Sequence, residues 1–338
     1  MSLPRIKVAA AHLAPVWMDA AATVEKACDA IAEAARHGAA LVAFPESFVP
    51  GFPAWTALAA PILTHDRFAR FAANSIRADG PEVARLRQAA RRHGIHLSFG
   101  FSESTAASLG CLWNSNMLVG PDGRVLNHHR KLVPTYYEKL VWAPGDAQGL
   151  RVVETPIGRI GALICGENTN PLARYALMAE GEQLHLASFP PIWPTRPPGE
   201  ATAYDIEEAI RIRCGAHSFE AKCFTLVASA HLDATAAREL SALSPEAARV
   251  VEGTPRAVSL AIGPDGRQIG QGRKDEGLLL VEMDLSACVE PKQFHDVVGY
   301  YNRFDVFRLA VDRSPREPIR FEGEAAAPRS YPELDEPA

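Results

Sequence analysis

The sequence predicts an α/β fold, in which strands alternate with helices and the sheet faces are covered. Three observations carry this expectation. Through the N-terminal third, apolar runs of strand length alternate with segments whose apolar residues recur at helical spacing. The turn Gly-Pro-Asp-Gly-Arg occurs twice, at 120–124 and 263–267, each time after an apolar strand. Hydrophobic residues make up 47% and charged residues 22%, the balance of a globular chain, which excludes a disordered one.

The elements follow in order. Ile6–Ala11 is a short apolar run and reads as a buried strand. Ala22–His37 places Val24, Ala27, Cys28, Ile31 and Ala35 on one helical face, and Gly38 stops it. Ala39–Phe44 is the second buried strand. Pro81 opens a helix in its first turn, and Gly94 follows His93 at its end. Ile95–Phe101 is the third strand. Asn116–Gly120 and Arg124–His129 form a hairpin around Pro-Asp-Gly, a turn-forming tripeptide. The second copy of that turn leads to Arg273-Lys274 as the first leads to Arg130-Lys131, so two similar halves, each with its own sheet, are expected. Between them lie a strand at 159–164, a helix at 171–180 ended by Gly181, and a strand at 184–187. The loop 189–199 holds five prolines, which exclude helix and central strand. A long helix at Ala203–Glu220 and a strand at Cys223–Ser229 follow, and the Ala- and Glu-rich stretch 233–256 reads as a surface insertion. Residues 1–312 form the expected domain, and 313–338, rich in Pro and charge, an extended or disordered tail.

Lys and Arg number 35 against 40 Asp and Glu, a net charge of −5, which argues against a nucleic-acid partner. No apolar run is long enough to span a membrane. The N-terminal apolar stretch, broken by His12 and Pro15, is a poor export signal. The six cysteines, at 28, 111, 165, 214, 223 and 288, include no C-x-x-C pair and read as reduced thiols of a cytoplasmic protein.

Three reactive side chains end apolar strands: Glu46 after AALVAFP, Lys131 after VLNHHR and Cys165 after RIGALI. Sites of α/β sheets gather at the carboxyl ends of strands. A thiol with an ordinary pKa of about 8.5 is a weak nucleophile while protonated. A neighbouring carboxylate can take its proton, and an ammonium can stabilise charge on the attacked centre. The set suits attack on a carbon–nitrogen bond with a covalent adduct on Cys165. His128 and His129 are adjacent in a strand and point to opposite faces, so they do not form a simple metal pair.

FPESFVPGFP (44–53), HRKLVPTYYEKLVWAPGD (129–146) and ALICGENTNPLARYALMAEGEQLHLASFPP (162–191) resemble the three catalytic blocks of the nitrilase branch of the nitrilase superfamily of carbon–nitrogen hydrolases. GYYNRFDVFRL (299–309) resembles that branch's C-terminal block, and the likeness extends over roughly 5–310. It implies a four-layer αββα sandwich, a Glu-Lys-Cys triad at Glu46, Lys131 and Cys165, and a second structural or catalytic glutamate at Glu138. It implies hydrolysis of a small-molecule nitrile to acid and ammonia through a thioimidate and a thioester, without metal or organic cofactor, and a homo-oligomer, dimeric or spiral. Gly166 stands where many aromatic-preferring relatives have Trp; it is expected to leave room beside the nucleophile, and CGEN resembles the aliphatic or broad-range type. Tyr300 and Phe304 stand where relatives often show His and Pro.

Phe52, Trp55, Tyr136, Phe189 and Trp193 lie in loops after these blocks and are candidates to line an apolar substrate pocket. Asn170 is an expected helix N-cap, and Asn168 a partner for local backbone. The alternatives are an amidase or carbamoylase with the same triad, a cyanide hydratase, and a non-catalytic binding protein of the same fold.

Overall fold

The computed structural model describes residues 3–200, 204–316 and 330–334. The first sheet holds β1 (Arg5–His12), β2 (Leu41–Ala43), β3 (Ile76–Arg77), β4 (His96–Thr105), β5 (Ser108–Val119) and β6 (Val125–Arg130). The second holds β7 (Val153–Thr155), β8 (Gly158–Ile164), β9 (Leu184–Phe189), β10 (Phe224–Ser229), β11 (Ser259–Ile262) and β12 (Gln268–Arg273). β13 (Gly277–Asp284) returns to the first sheet, antiparallel to β1. The helices are α1 (Ala20–Arg36), α2 (His65–Ala73), α3 (Pro81–His93), α4 (Pro171–Ala179), α5 (Ile206–Ala221), α6 (Ala234–Ser241) and α7 (Pro245–Gly253).

The two sheets share one plan. In the first, β1-β2-β4 are parallel and β5 and β6 follow antiparallel. In the second, β8-β9-β10 are parallel and β11 and β12 follow antiparallel. The repeated turn closes the last hairpin of each: Gly120 N–H and Gly263 N–H each donate at 2.8 Å to the carbonyl of the Arg four residues on. Gly123 and Gly266 hold φ of 79° and 77°, the left-handed region that favours glycine. The repeat therefore marks two similar halves.

Apolar side chains fix the layers. Ile6, Val8, Ala10 and Leu41 of the first sheet pack against Ile160, Leu184, Leu186 and Leu226 of the second. The alternate residues Ala9, Ala11 and Val42 face α1 and α3 through Val24, Ile31, Leu86 and Ala90. On the far side, Leu163 meets α4 through Ala173 and Leu177, and Val227 and Leu260 meet α5 through Ile210 and Cys214. The result is the expected αββα order. Its two inner faces form one dry core, and each outer face carries helices.

One expectation is corrected. Residues 233–256 are not a surface insertion: they form α6 and α7, capped by Asp233 and Ser244. Ala236, Leu240, Ala247 and Val251 are buried, and Ala236, Leu240 and Val251 join the cluster that holds Cys165. Alanine-rich amphipathic helices bury little area per residue and hide their apolar stripe in composition. The long helix begins at Ile206 rather than Ala203, because the Asp205 side chain accepts from the N–H groups of Glu207 and Glu208. Residue 203 lies outside the described residues, as do 317–329 and 335–338 of the expected tail. Of its described parts, 313–316 and 330–334, the first is tied by Arg313 to the Leu150 carbonyl and the second lies along the first half: Tyr331 Oη is 2.9 Å from His128 Nδ1, and Arg87 donates to the Pro332 carbonyl.

Candidate active site

Each reactive side chain sits where a strand gives way to a tight loop. Three of the five non-glycine residues with positive φ among the described residues lie in these loops: Ser47 (45°), Tyr136 (51°) and Cys165 (47°). Such conformations cost of order 1–3 kcal/mol and persist only where the surroundings hold them. β4 passes close beneath the Glu46 loop. A Cβ at Gly100 would lie 2.3 Å from the Pro45 carbonyl oxygen and 2.9 Å from Glu46 Cα, so only glycine fits there.

The structure brings Glu46, Lys131, Glu138 and Cys165 together. Lys131 Nζ donates to Glu46 Oε1 at 2.8 Å and to Glu138 Oε1 and Oε2 at 2.9 and 2.6 Å. All three of these side chains are fully buried. A carboxylate oxygen from each glutamate and Cys165 Sγ lie within 4.8 Å of one another. Glu138 also accepts from Thr135 N–H at 2.8 Å as part of a capping box. Asn114 Nδ2 donates to Glu46 Oε1 at 2.7 Å, while Glu46 Oε2 is buried without a hydrogen-bond partner.

Burial pushes the Cys165 thiol well above its ordinary pKa, and the Glu46 carboxylate adds to this. The resting sulfur is therefore a protonated thiol. Burial also lifts Glu138 to about 7, with Glu46 adding to the rise and Lys131 opposing it. Burial alone would weaken the Lys131 ammonium, but the Glu138 and Glu46 carboxylates outweigh it and raise its pKa. The other buried thiols, Cys28, Cys214, Cys223 and Cys288, are also raised by burial; of these, Cys223 stands beside the Glu182 carboxylate and the His217 imidazole.

Among the described residues, Glu46, Glu138 and Cys165 could offer three ligand atoms to a metal, as could Glu182, His217 and Cys223. In the first group the Lys131 ammonium already takes both carboxylates; in the second, two imidazoles take Glu182. Glu46 Oε2 and His217 Nδ1 are the atoms of these residues left without a hydrogen-bond partner. His128 and His129 do face opposite ways, to Glu103 and to Glu167.

The candidate pocket residues divide. Phe52, Phe189 and Trp193 belong to the apolar cluster around Cys165, with Phe52 and Trp193 ring centroids 5.8 Å apart. Trp55 is in the same cluster but packs its ring on Phe71 and Trp17. Tyr136 is 68% exposed, at the rim of a cleft of about 290 Å³ lined also by Leu58, Tyr137, Pro194, Glu246 and Val250. Gly166 leaves no room: a Cβ there would lie 2.5 Å from Thr135 Oγ1, so the Thr135 side chain already fills that space.

Sequence reasoning missed Tyr137, whose ring stacks on Trp193 at 4.4 Å and lines both cleft and cluster. It also missed Glu167. This buried carboxylate accepts from Leu132 N–H at 2.6 Å, from Ile164 N–H at 2.8 Å and from His129 Nε2 at 3.0 Å. It thereby ties the strand ends that carry Lys131 and Cys165. The available signal was an acidic residue two positions after Cys165.

The match to known proteins now has a geometry to rest on. Residues 7–293 match the carbon-nitrogen hydrolase family model. The chain belongs to the carbon–nitrogen hydrolase family. It is 36% identical to an aliphatic nitrilase of Rhodococcus rhodochrous, over 93% of this chain and 84% of that one. It is 34% identical to an arylacetonitrilase of Hypocrea virens, over 93% of this chain and 94% of that one. A solved carbon–nitrogen hydrolase from Helicobacter pylori G27 superposes with a TM-score of 0.71 at 17% identity, covering 90% of this chain and 97% of that one. This hydrolase of carbon–nitrogen bonds thus shares its fold with distant members and most of its length with the nitrilases. No helix among the described residues is long and apolar enough to cross a membrane.

Proposed function

We propose that this carbon–nitrogen hydrolase is a nitrilase that converts organic nitriles to the carboxylic acid and ammonia, with Cys165 as nucleophile. The observation that carries the reading is the buried Lys131 ammonium bonded to both Glu46 and Glu138, with the Cys165 thiol beside them. Glu46, with one oxygen free of partners, takes the Cys165 proton as sulfur attacks the nitrile carbon. The triple bond becomes the C=N of a thioimidate, and the proton passes to nitrogen. Water adds to that carbon, ammonia leaves, and a thioester remains. A second water then releases the acid and returns the proton to sulfur. Lys131 stabilises the charge that gathers on the attacked group, and Glu138 holds Lys131.

Two nitrilase-named relatives, matched over most of their length, support a nitrile rather than an amide as substrate. One of them is named for aliphatic and the other for arylacetonitrile substrates. We therefore expect aliphatic or flexible arylaliphatic nitriles to outrun rigid benzonitrile, admitted past Tyr137, Phe52 and Trp193. Ammonia release from matched nitrile and amide pairs tests the reading. The nitrile should turn over and the amide lag; the reverse identifies an amidase or carbamoylase, and formamide from cyanide a hydratase.

A homo-oligomer and a cytoplasmic location complete the reading. Leu172, Phe304, Phe307, Leu309 and Val311 line a largely apolar recess between α4 and the C-terminal segment, and Ile212 and Phe219 of α5 are also exposed. Exposed apolar surface of this extent supports an interface. Six free cysteines suit a reducing compartment.

A further inference from the structure

A buried polar chain runs from α5 to the backbone of the nucleophile. Asn168 Nδ2 donates to the carbonyls of Cys165, at 3.0 Å, and Leu163, at 3.3 Å. Two acceptors on that side fix the amide, so Asn168 Oδ1 faces away. His185 Nε2 lies 2.8 Å from that oxygen and must carry a proton to bond it. His185 Nδ1 lies 2.7 Å from Glu182 Oε1, and His217 Nε2 lies 2.7 Å from Glu182 Oε2. The rings of His185 and His217 lie 3.9 Å apart, tilted by 32°.

Nothing in this chain is solvated. Asn168, Glu182, His185 and His217 are each at most 1% exposed. β8 makes room for it: a Cβ at Gly161 would lie 2.0 Å from Glu182 Oε1. Burial would raise Glu182, but His185 and His217 hold it at about 2, a permanent carboxylate. A buried salt bridge contributes little net stability, and in some proteins such groups select one conformation. The conformation next to them is the Cys165 elbow, held at a φ of 47°.

We propose that Asn168, His185 and Glu182 are positioning residues that lock the Leu163 and Cys165 carbonyls and so aim the Cys165 sulfur at the substrate carbon. The proposal rests on Cys165 being the nucleophile. Glu182 orients His185, His185 orients Asn168, and Asn168 holds the strained turn. None of the three reaches the reacting atoms.

The test compares Asn168→Ala, His185→Leu and His185→Gln by kcat, KM, melting temperature and the rate of Cys165 alkylation by iodoacetamide. A sulfur displaced by about 1 Å can cost about a hundredfold, so Asn168→Ala and His185→Leu should lose about that in kcat. Their KM should stay within about threefold, because the pocket is untouched. His185→Gln, whose amide N–H can still reach Asn168, should recover at least about tenfold of the loss. Asn168→Ala carries the test if His185→Leu does not fold. A folded Asn168→Ala with kcat within about threefold of the parent, or with its whole loss in KM, overturns the proposal. If the parent releases no ammonia from any nitrile while the variants still slow alkylation of Cys165, the nitrilase reading falls and the positioning role stands.

Discussion

Two buried carboxylates share one ammonium in the Glu46–Lys131–Glu138 set, so a negative charge is left over in a dry site. Glu138, lifted to about 7, is where that excess is felt. Glu138→Gln removes the excess and keeps the shape, so its melting temperature should match the parent. It should still lose roughly a hundredfold or more in kcat, because Lys131 loses one of the two carboxylates that hold it. Lys131→Gln should lose as much, and the double variant little more than the worse single, since residues acting as one unit are not additive. Unchanged kcat in a folded Glu138→Gln removes Glu138 from the site. These four side chains were legible because each reactive group ends an apolar run or lies in a block of the resemblance. Glu167, Asn114 and Tyr137 were not, because their roles are hydrogen bonds and ring contacts across strands distant in sequence. Gly166 misled for the same reason: the space beside it belongs to Thr135, 31 positions away, and no local pattern shows that.

The elements that place these side chains depend on close backbone approaches. Gly100 lets β4 run beneath the Glu46 loop, and a methyl there would push the Pro45 carbonyl by more than an ångström to reach van der Waals contact. Gly100→Ala should therefore cut kcat sharply while circular dichroism still shows the α/β fold; a variant with parental kcat would mean that the Glu46 loop moves freely. Elements with strong punctuation were read almost to the residue. α3 runs from Pro81 to His93, and Gly94 adopts φ 61° after it, as the Pro and Gly predict. β4 and β5 extend into the polar stretch 102–110, past the apolar run, because cross-strand pairing carries them there, with Ser102 and Glu103 buried as polar residues. α2 went unread: only Phe71 of its nine residues is buried, too little for a periodic signal.

At the scale of the whole molecule, the repeated turn and the alternating runs gave two halves, while their stacking face to face was implied by the resemblance alone. Stability should depend on acid in a defined way. Burial, aided by His231, holds His12 at about 4, and burial, aided by His185, holds His217 at about 4. Between the unfolded value of about 6.5 and 4, the unfolded chain binds protons that the folded one refuses, so stability falls as pH falls through that window. Glu182, held at about 2, adds stability above its unfolded pKa that is lost as pH drops towards 2. Melting temperature should decline from pH 6.5 to 4, and His12→Gln should flatten the slope; a flat parental curve would contradict the assignment. The account as a whole stands on one sulfur. Peptide mass mapping after partial inactivation by a thiol-alkylating reagent tests it most directly. Loss of activity should track alkylation of Cys165 in proportion; loss that tracks Cys28, Cys111, Cys214, Cys223 or Cys288 while Cys165 stays unmodified would contradict it.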